Sequence, residues 1–234
     1  MTGQPAVAEL NTREAFLARV IEKLGTHPCD FQTAFRGIAT SGRDDHRRAA
    51  GVLLPLLFRE SSRGNARKYA VSQNADAFKL ISLFLTNALR ESWEEIRLPP
   101  SRVFFLGPLP TYKLVLFRRT IFPVAGFVGT PGLLHPNWEV EKIVEIPLSS
   151  FYQKENFGCY QVDAGNPDVK KPLQYPCLIH HDPDGGEEVL WGATFNIIVQ
   201  FLGIVLDYRL PEWKEGPVIK RSLKPDYLTG RRSS

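Results

Sequence analysis

The sequence predicts an α/β protein: an α/β/α sandwich built on a mixed sheet and preceded by an N-terminal helical extension. Three observations carry this. Apolar residues from Phe78 to Ile96 recur at helical intervals and define one long amphipathic helix. A second apolar helical run, Thr194 to Leu206, lies near the end of the chain. Between and before these runs are short apolar segments punctuated by proline and glycine, which read as strands of both directions. One central and one late helix among mixed strands bury their apolar faces best as layers on a sheet. The expected organisation is an N-terminal helical extension over 1–47, a core domain over 48–210 and a tail over 211–234.

The elements follow in order. Phe16, Leu17, Val20, Ile21 and Leu24 are helically spaced, with Asn11 or Thr12 as the cap and Gly25 as the stop. Phe31 to Ile38 predicts a short helix or turn, followed by a charged loop from Ser41 to Arg48. Val52 to Phe58 is continuously apolar and predicts a strand buried on both faces. Ser61, Ser62 and Gly64 mark a loop over 59–66. The long helix starts at Ala75, with Phe78, Ile81, Leu85, Leu89, Trp93 and Ile96 as its core stripe. Pro99 and Pro100 end it. Val103–Leu106, Leu114–Phe117, Thr120–Val128 and Lys142–Ile146 read as strands, and Pro167–Pro176 as a polar, proline-rich excursion. Leu178–His181 and Glu188–Trp191 flank Asp182-Pro183-Asp184-Gly185-Gly186, which is hairpin turn chemistry. Thr194 caps the last helix.

Bulk properties bound the function. At 234 residues, 43% hydrophobic and 23% charged, the chain can bury a substantial core. Its longest apolar run, Phe195–Leu206, is interrupted by Asn196 and Gln200 and is too short to cross a bilayer. No secretory pattern is seen over Met1–Leu10. Cys29, Cys159 and Cys177 fit neither a disulfide framework nor a zinc site, so the expected setting is reducing and cytoplasmic. The net charge of +4 draws on Arg43, Arg47, Arg48, Arg63, Arg67, Lys68, Arg118 and Arg119. That field could attract an anionic phosphate compound. With no nucleobase-stacking motif beside it, solubility is the plainer reading and nucleic acid is not the expected partner.

The chemistry concentrates at the end of the long helix. Glu91, Glu94 and Glu95 stand at i, i+3 and i+4, so three carboxylates leave one face within about one turn. Crowding them costs roughly 0.2–0.5 kcal/mol per adjacent like-charge pair. Clustered carboxylate oxygens suit a hard cation such as Mg²⁺ or Mn²⁺. The plain alternative is a solvated acidic face. His180-His181-Asp182 also invites a metal or triad reading, but the adjoining turn residues favour a hairpin with a polar shoulder.

The run Arg90-Glu91-Ser92-Trp93-Glu94-Glu95-Ile96-Arg97-Leu98 resembles the second half of the Nudix box. In that motif a Gly and a Glu precede Arg-Glu-apolar-x-Glu-Glu-x-Gly-apolar. Here its first Gly falls on Asp76, its first Glu on Ser82, its last Gly on Arg97 and its first apolar position on Ser92. The half that binds metal is kept and the loop half is lost. Further segments resemble the coenzyme A diphosphatase branch of the family: Arg48–Leu56, Leu106-Gly107-Pro108-Leu109, Phe122–Gly126, Asn137–Glu141 with Ile146-Pro147-Leu148, and Trp191–Thr194. They run in the family's order over about 48–206. The branch's Phe-Pro-Gly-Gly loop is absent from 59–80.

The resemblance implies a Nudix-type sandwich and a metal-dependent hydrolase that cleaves a diphosphate linkage in a nucleotide or coenzyme derivative. It implies Glu91, Glu94 and Glu95 as ligands of Mg²⁺ or Mn²⁺, and Arg90 as the residue that fixes a glutamate rotamer. Glu139 or Glu141, two apart and so on one side of a strand, would supply a further ligand or the general base. Asp76 reads better as a helix cap than as an acidic ligand. Replacing glycine by Arg97 implies an altered exit from the helix. The altered half-box also supports a catalytically silent Nudix fold that binds a ligand or partner. The partner expected in either case is a small molecule, with no membrane, and a homodimer is compatible.

Overall fold

In the computed structural model the described residues are 12–39, 49–57, 75–114, 119–130, 132–163, 172–182 and 185–222. They form four helices and two mixed four-stranded sheets, and so belong to the α/β class. They divide into two compact units, one within Met1–Ile143 and Gln200–Tyr208, the other within Val144–Val199 and Arg209–Ser234.

The first unit opens with α1 (Arg13–Thr26), where Thr12 takes extended backbone and its hydroxyl accepts from Ala15 N at 3.2 Å. This is the expected cap, and it satisfies one of the unpaired donors of the first turn. Helix α2 (Phe31–Ala39) follows, then β1 (Ala49–Leu57) and α3 (Ala75–Ile96). Strands β2 (Val103–Pro108), β3 (Tyr112–Leu114) and β4 (Arg119–Val128) complete the sheet. β4 is central, with β1 parallel on one side and β2 and β3 antiparallel on the other. It is buried from Thr120 to Val128, as a strand covered on both faces must be.

The register shows what covers each face. Phe122 and Val124 share a face and pack with Phe31 of α2 and with Ile81, Phe84 and Ala88 of α3. The Phe84 and Phe122 rings stack 3.8 Å apart, 2° from parallel. Gly51 lies beside Phe122 on that face, and a Cβ there would collide with the Phe84 carbonyl oxygen. Gly107 is paired with Ala125 on the opposite face, where a Cβ would sit 2.7 Å from the Leu24 Cβ of α1. Helices thus cover both faces of this sheet, the expected sandwich. The end of α4 (Gly192–Leu206) joins α1: Arg19 Nε donates to Val205 O at 2.6 Å and its guanidinium pairs with Asp207 at 3.3 Å.

In the second unit, β5 (Phe157–Asp163), β6 (Leu173–His181), β7 (Glu187–Trp191) and β8 (Val218–Ser222) pair in the order β7-β6-β5-β8. Only β5 and β8 run parallel. Tyr160 and Trp191 stack at 4.0 Å within a cluster that includes Val162, Cys177 and Ile179.

Several expectations need correction. β1 is not buried on both faces: Gly51, Leu54 and Leu56 are buried, while Val52, Pro55 and Leu57 are exposed. Among the described residues it pairs with β4 alone, and a strand at a sheet edge tolerates Pro55, which has no N–H to donate. The α3 stripe runs through Ile81, Phe84 and Ala88, and Trp93 at its end is 42% exposed. Lys142–Ile146 is not a strand, so Glu139 and Glu141 share no strand face. β5 was not foreseen, β6 begins at Leu173 inside the expected excursion, and β8 lies within the expected tail. α4 starts at Gly192, before Thr194. The 59–66 loop and the cations from Arg43 to Arg118 that were singled out lie outside the described residues.

Candidate functional site

The site is built where α3 stops. Arg97 N donates to Trp93 O at 3.0 Å and Leu98 N to Ser92 O at 3.3 Å, while Arg97 takes φ 58. This closure satisfies the helix's last carbonyls, and it requires a left-handed residue after the final turn. Glycine is the usual occupant; here arginine adopts a left-handed conformation. Leu98 is buried, and the Arg97 guanidinium lies 5.4 Å from the Trp93 ring. The resulting anchor sets the last two turns, which carry Arg90, Glu91, Glu94 and Glu95.

A second segment is laced to that end. His135 N donates to Ile96 O at 3.0 Å, Asn137 N to Glu95 O at 2.7 Å and Asn137 Nδ2 to Glu94 O at 3.1 Å. Asn137 Oδ1 in turn accepts from Glu139 N at 2.8 Å, a local turn closed by an Asx side chain. One asparagine therefore joins the carboxylate-bearing turn of α3 to the backbone of Glu139. Sequence reading valued this stretch for its glutamates and passed over Asn137. The signal was present, because asparagine before an acidic residue in a loop favours such a turn.

Arg90 lies over the outer carboxylates. Its Nη1 reaches both oxygens of Glu94, at 2.9 and 2.7 Å, and its Nη2 donates to Glu91. The Glu94 hydrogen bond, then the charges of Glu91 and Glu94, hold the Arg90 pKa above its ordinary value. Glu95 is the more enclosed acid. Burial first, then the charges of Glu91, Glu139 and Glu94, push its carboxyl pKa up. The coupling brings Glu139 into the same electrostatic neighbourhood as the three helix glutamates.

The donor chemistry of this set suits a hard divalent cation, since every candidate ligand is a carboxylate. Arg90 engages Glu91 and Glu94, and among the described residues no three His, Cys, Asp or Glu form a group that could hold a metal ion. The side chains of Glu91 and Glu94 are 42% and 50% exposed, so each is free to change rotamer at its surface position.

The box's lost half is helical. Asp76 and Ser82 both lie within α3, Asp76 in its first turn. Its side chain is outside the described part. His180 and His181 end β6 and Glu187 begins β7, with Asp182 N donating to Gly186 O at 2.8 Å. The hairpin reading is therefore correct. His180 Nε2 lies 3.4 Å from Asp182 Oδ1, a local contact at the hairpin's shoulder.

Among the described residues no helix is long and apolar enough to cross a membrane. No protein-family profile matches the chain. Two curated proteins resemble it over most of their length. A protein of Pectobacterium atrosepticum named uncharacterized Nudix hydrolase NudL is 36% identical over 186 residues, covering 73% of this chain and 91% of its own. One of the same name from Photorhabdus laumondii is 31% identical over 169 residues, covering 67% and 84% respectively.

Proposed function

The chain belongs to the Nudix hydrolase family, and on that premise we propose that it is a metal-dependent hydrolase cleaving the diphosphate linkage of a nucleotide or coenzyme derivative. The observation that supports this most is geometric: Glu91, Glu94 and Glu95 share one helix end, and Asn137 ties the loop of Glu139 to it. Burial first, then the charges of Glu91 and Glu94 on the same helix end and of Glu139 on the tied loop, raise the Glu95 carboxyl, and a bound cation would relieve the charge repulsion.

Mg²⁺ or Mn²⁺ bound there would offset the diphosphate charge and lower the pKa of the attacking water. Glu91, Glu94 and Glu95 supply the oxygen donors. Arg90 holds Glu91 and Glu94 while they are unligated and aligns Glu94 through its paired contact. Glu139, held by Asn137, accepts the proton of the water. Asn137 acts as a positioning residue, fixing the loop against α3. The setting proposed is cytoplasmic and the substrate a small molecule.

A second reading has its own observation. Arg90 takes up two of the three helix acids, and no group of three metal-binding side chains is assembled among the described residues. This favours a silent Nudix fold that binds a ligand or partner without turning it over. Incubation with Mn²⁺ and a panel of nucleotide and coenzyme diphosphates separates the two. Phosphate-bond cleavage that is abolished by Glu94→Gln and Glu95→Gln supports the hydrolase. Tight binding without cleavage at any metal concentration supports the silent fold, and cleavage indifferent to both substitutions removes the proposed site.

A further inference from the structure

Pro99 and Pro100 stop α3 and send the chain through a single 3-10 turn, Pro100–Arg102, closed by Arg102 N on Pro99 O at 2.9 Å. The next residue, Val103, opens β2 opposite Val128, the last residue of β4. That register sets Arg102 beside the point where the chain leaves β4 for the loop that carries Glu139. Gly129 N donates to the Arg102 carbonyl at 3.3 Å, and the Arg102 guanidinium reaches over the same loop, its Nη1 donating to Thr130 O at 3.2 Å. Gly132 takes φ 71 under the guanidinium, where a Cβ would collide with Nη1 and sit 3.3 Å from Cζ. The loop is thus clasped at its start by Arg102. Its far end is tied to α3, through His135 N on Ile96 O at 3.0 Å and Asn137 N on Glu95 O at 2.7 Å.

We propose that Arg102 is a positioning residue: by clasping the loop at Thr130 and Gly132 it holds Glu139 in register with the acidic end of α3. The inference rests on the hydrolase reading for the role of Glu139, and it adds a second anchor that lies outside the acidic run. Asn137 fixes one end only, and a loop held at a single point still pivots there. Two anchors leave fewer conformations to be lost when cation and substrate bind, which is the entropy that positioning removes from the barrier. Arginine serves here because its fork donates to a carbonyl while covering the bare backbone of a glycine.

The test measures Arg102→Ala and Arg102→Lys in two ways. Both substitutions keep the backbone bonds of residue 102, so the turn into β2 is retained. Hydrogen exchange reads the clasp without any turnover. Arg102→Ala should quicken exchange of the His135 and Asn137 amides by roughly 3- to 10-fold, while the amides of Phe122 and Val124 in β4 stay as slow as in the wild type. With Mn²⁺ and the diphosphate compound that the wild type cleaves fastest, kcat should fall by roughly 3- to 10-fold with KM unchanged. Arg102→Lys, which keeps a donor for Thr130 O, should restore most of both effects. If exchange quickens in Arg102→Ala but the wild type cleaves no compound, the hydrolase reading falls and the clasp on the loop stands. If exchange quickens and kcat is untouched, or the loss falls on KM alone, the positioning role is overturned and the hydrolase reading survives. Exchange at His135 and Asn137 that matches the wild type overturns the proposal.

Discussion

The two ends of the described part of α3 do different work. From Leu80 to Ala88 the helix is committed to packing: Ile81, Phe84 and Ala88 are buried, and Phe84 stacks on Phe122 of the central strand. From Arg90 to Ile96 no residue is fully buried, and charge replaces apolar surface. The Nudix resemblance divides at the same place. Its chemistry-bearing half falls on the open end, while Ser82, which departs from the motif, lies among the packed turns. A helix anchored by its middle can leave its last turns to a ligand, and there the residue types are dictated by chemistry rather than by fit.

The largest effect expected from this contrast is on stability. Phe84→Ala removes a buried ring from an aromatic stack and should cost about 3–5 kcal/mol in urea unfolding. Trp93→Ala, nine residues on, should cost clearly less, because its ring is 42% exposed and faces the Arg97 guanidinium at the surface. Equal costs at the two positions would erase the division of labour.

Next comes activity. Glu94→Gln should lower kcat/KM on a diphosphate substrate by about 100-fold or more, roughly 2.7 kcal/mol of barrier. Its Tm should move by no more than about 2 °C, since the Glu94 side chain is half-exposed and pairs with Arg90 at the surface. Steady-state kinetics paired with a thermal scan separates loss of chemistry from loss of fold. A variant that loses both together would assign Glu94 to the scaffold.

What could be read in advance follows the same line. The helices were legible because their apolar residues repeat at a period that local sequence displays, and Thr12 and the paired prolines mark their ends. The acidic site was legible because the three helix glutamates and Arg90 lie within six consecutive residues. β5 and β8 were not, since their parallel pairing joins segments about 60 residues apart and leaves no local pattern. β1 looked doubly buried because an apolar run does not reveal whether its strand will lie at an edge. Asn137 was missed for a related reason: its function depends on which carbonyls the fold brings to it. The left-handed backbone of Arg97 was equally hidden, since arginine does not advertise a conformation that glycine usually takes.

Arg97 therefore offers a smaller and sharper test. A non-glycine residue in left-handed backbone costs about 1–2 kcal/mol. Arg97→Gly removes that strain but forfeits the contact with Trp93 and gains chain entropy in the unfolded state. The expected net is stabilisation by no more than about 1 kcal/mol in denaturant unfolding, with activity retained because glycine keeps the left-handed turn. Destabilisation would show that the guanidinium, rather than the turn, holds the end of α3.

The smallest effect is a dependence on pH at Glu95. Burial, then the charges of Glu91, Glu139 and Glu94, raise its carboxyl above the ordinary value of 4.5, so folding favours its protonated form. That contribution is fully present below the unfolded value and is lost as pH rises through the folded one. Glu95→Gln cannot ionise and so escapes the loss. Without divalent cations, the Tm of the variant relative to wild type should therefore be higher at about pH 7 than at about pH 3.5. Adding Mn²⁺ at neutral pH should reverse the order, because a cation bound by the native state alone stabilises only the protein that keeps its ligand. A Tm difference that is flat with pH would show that Glu95 does not feel its acidic neighbours. A pH dependence that Mn²⁺ leaves untouched would keep the electrostatic cluster and remove the cation from it.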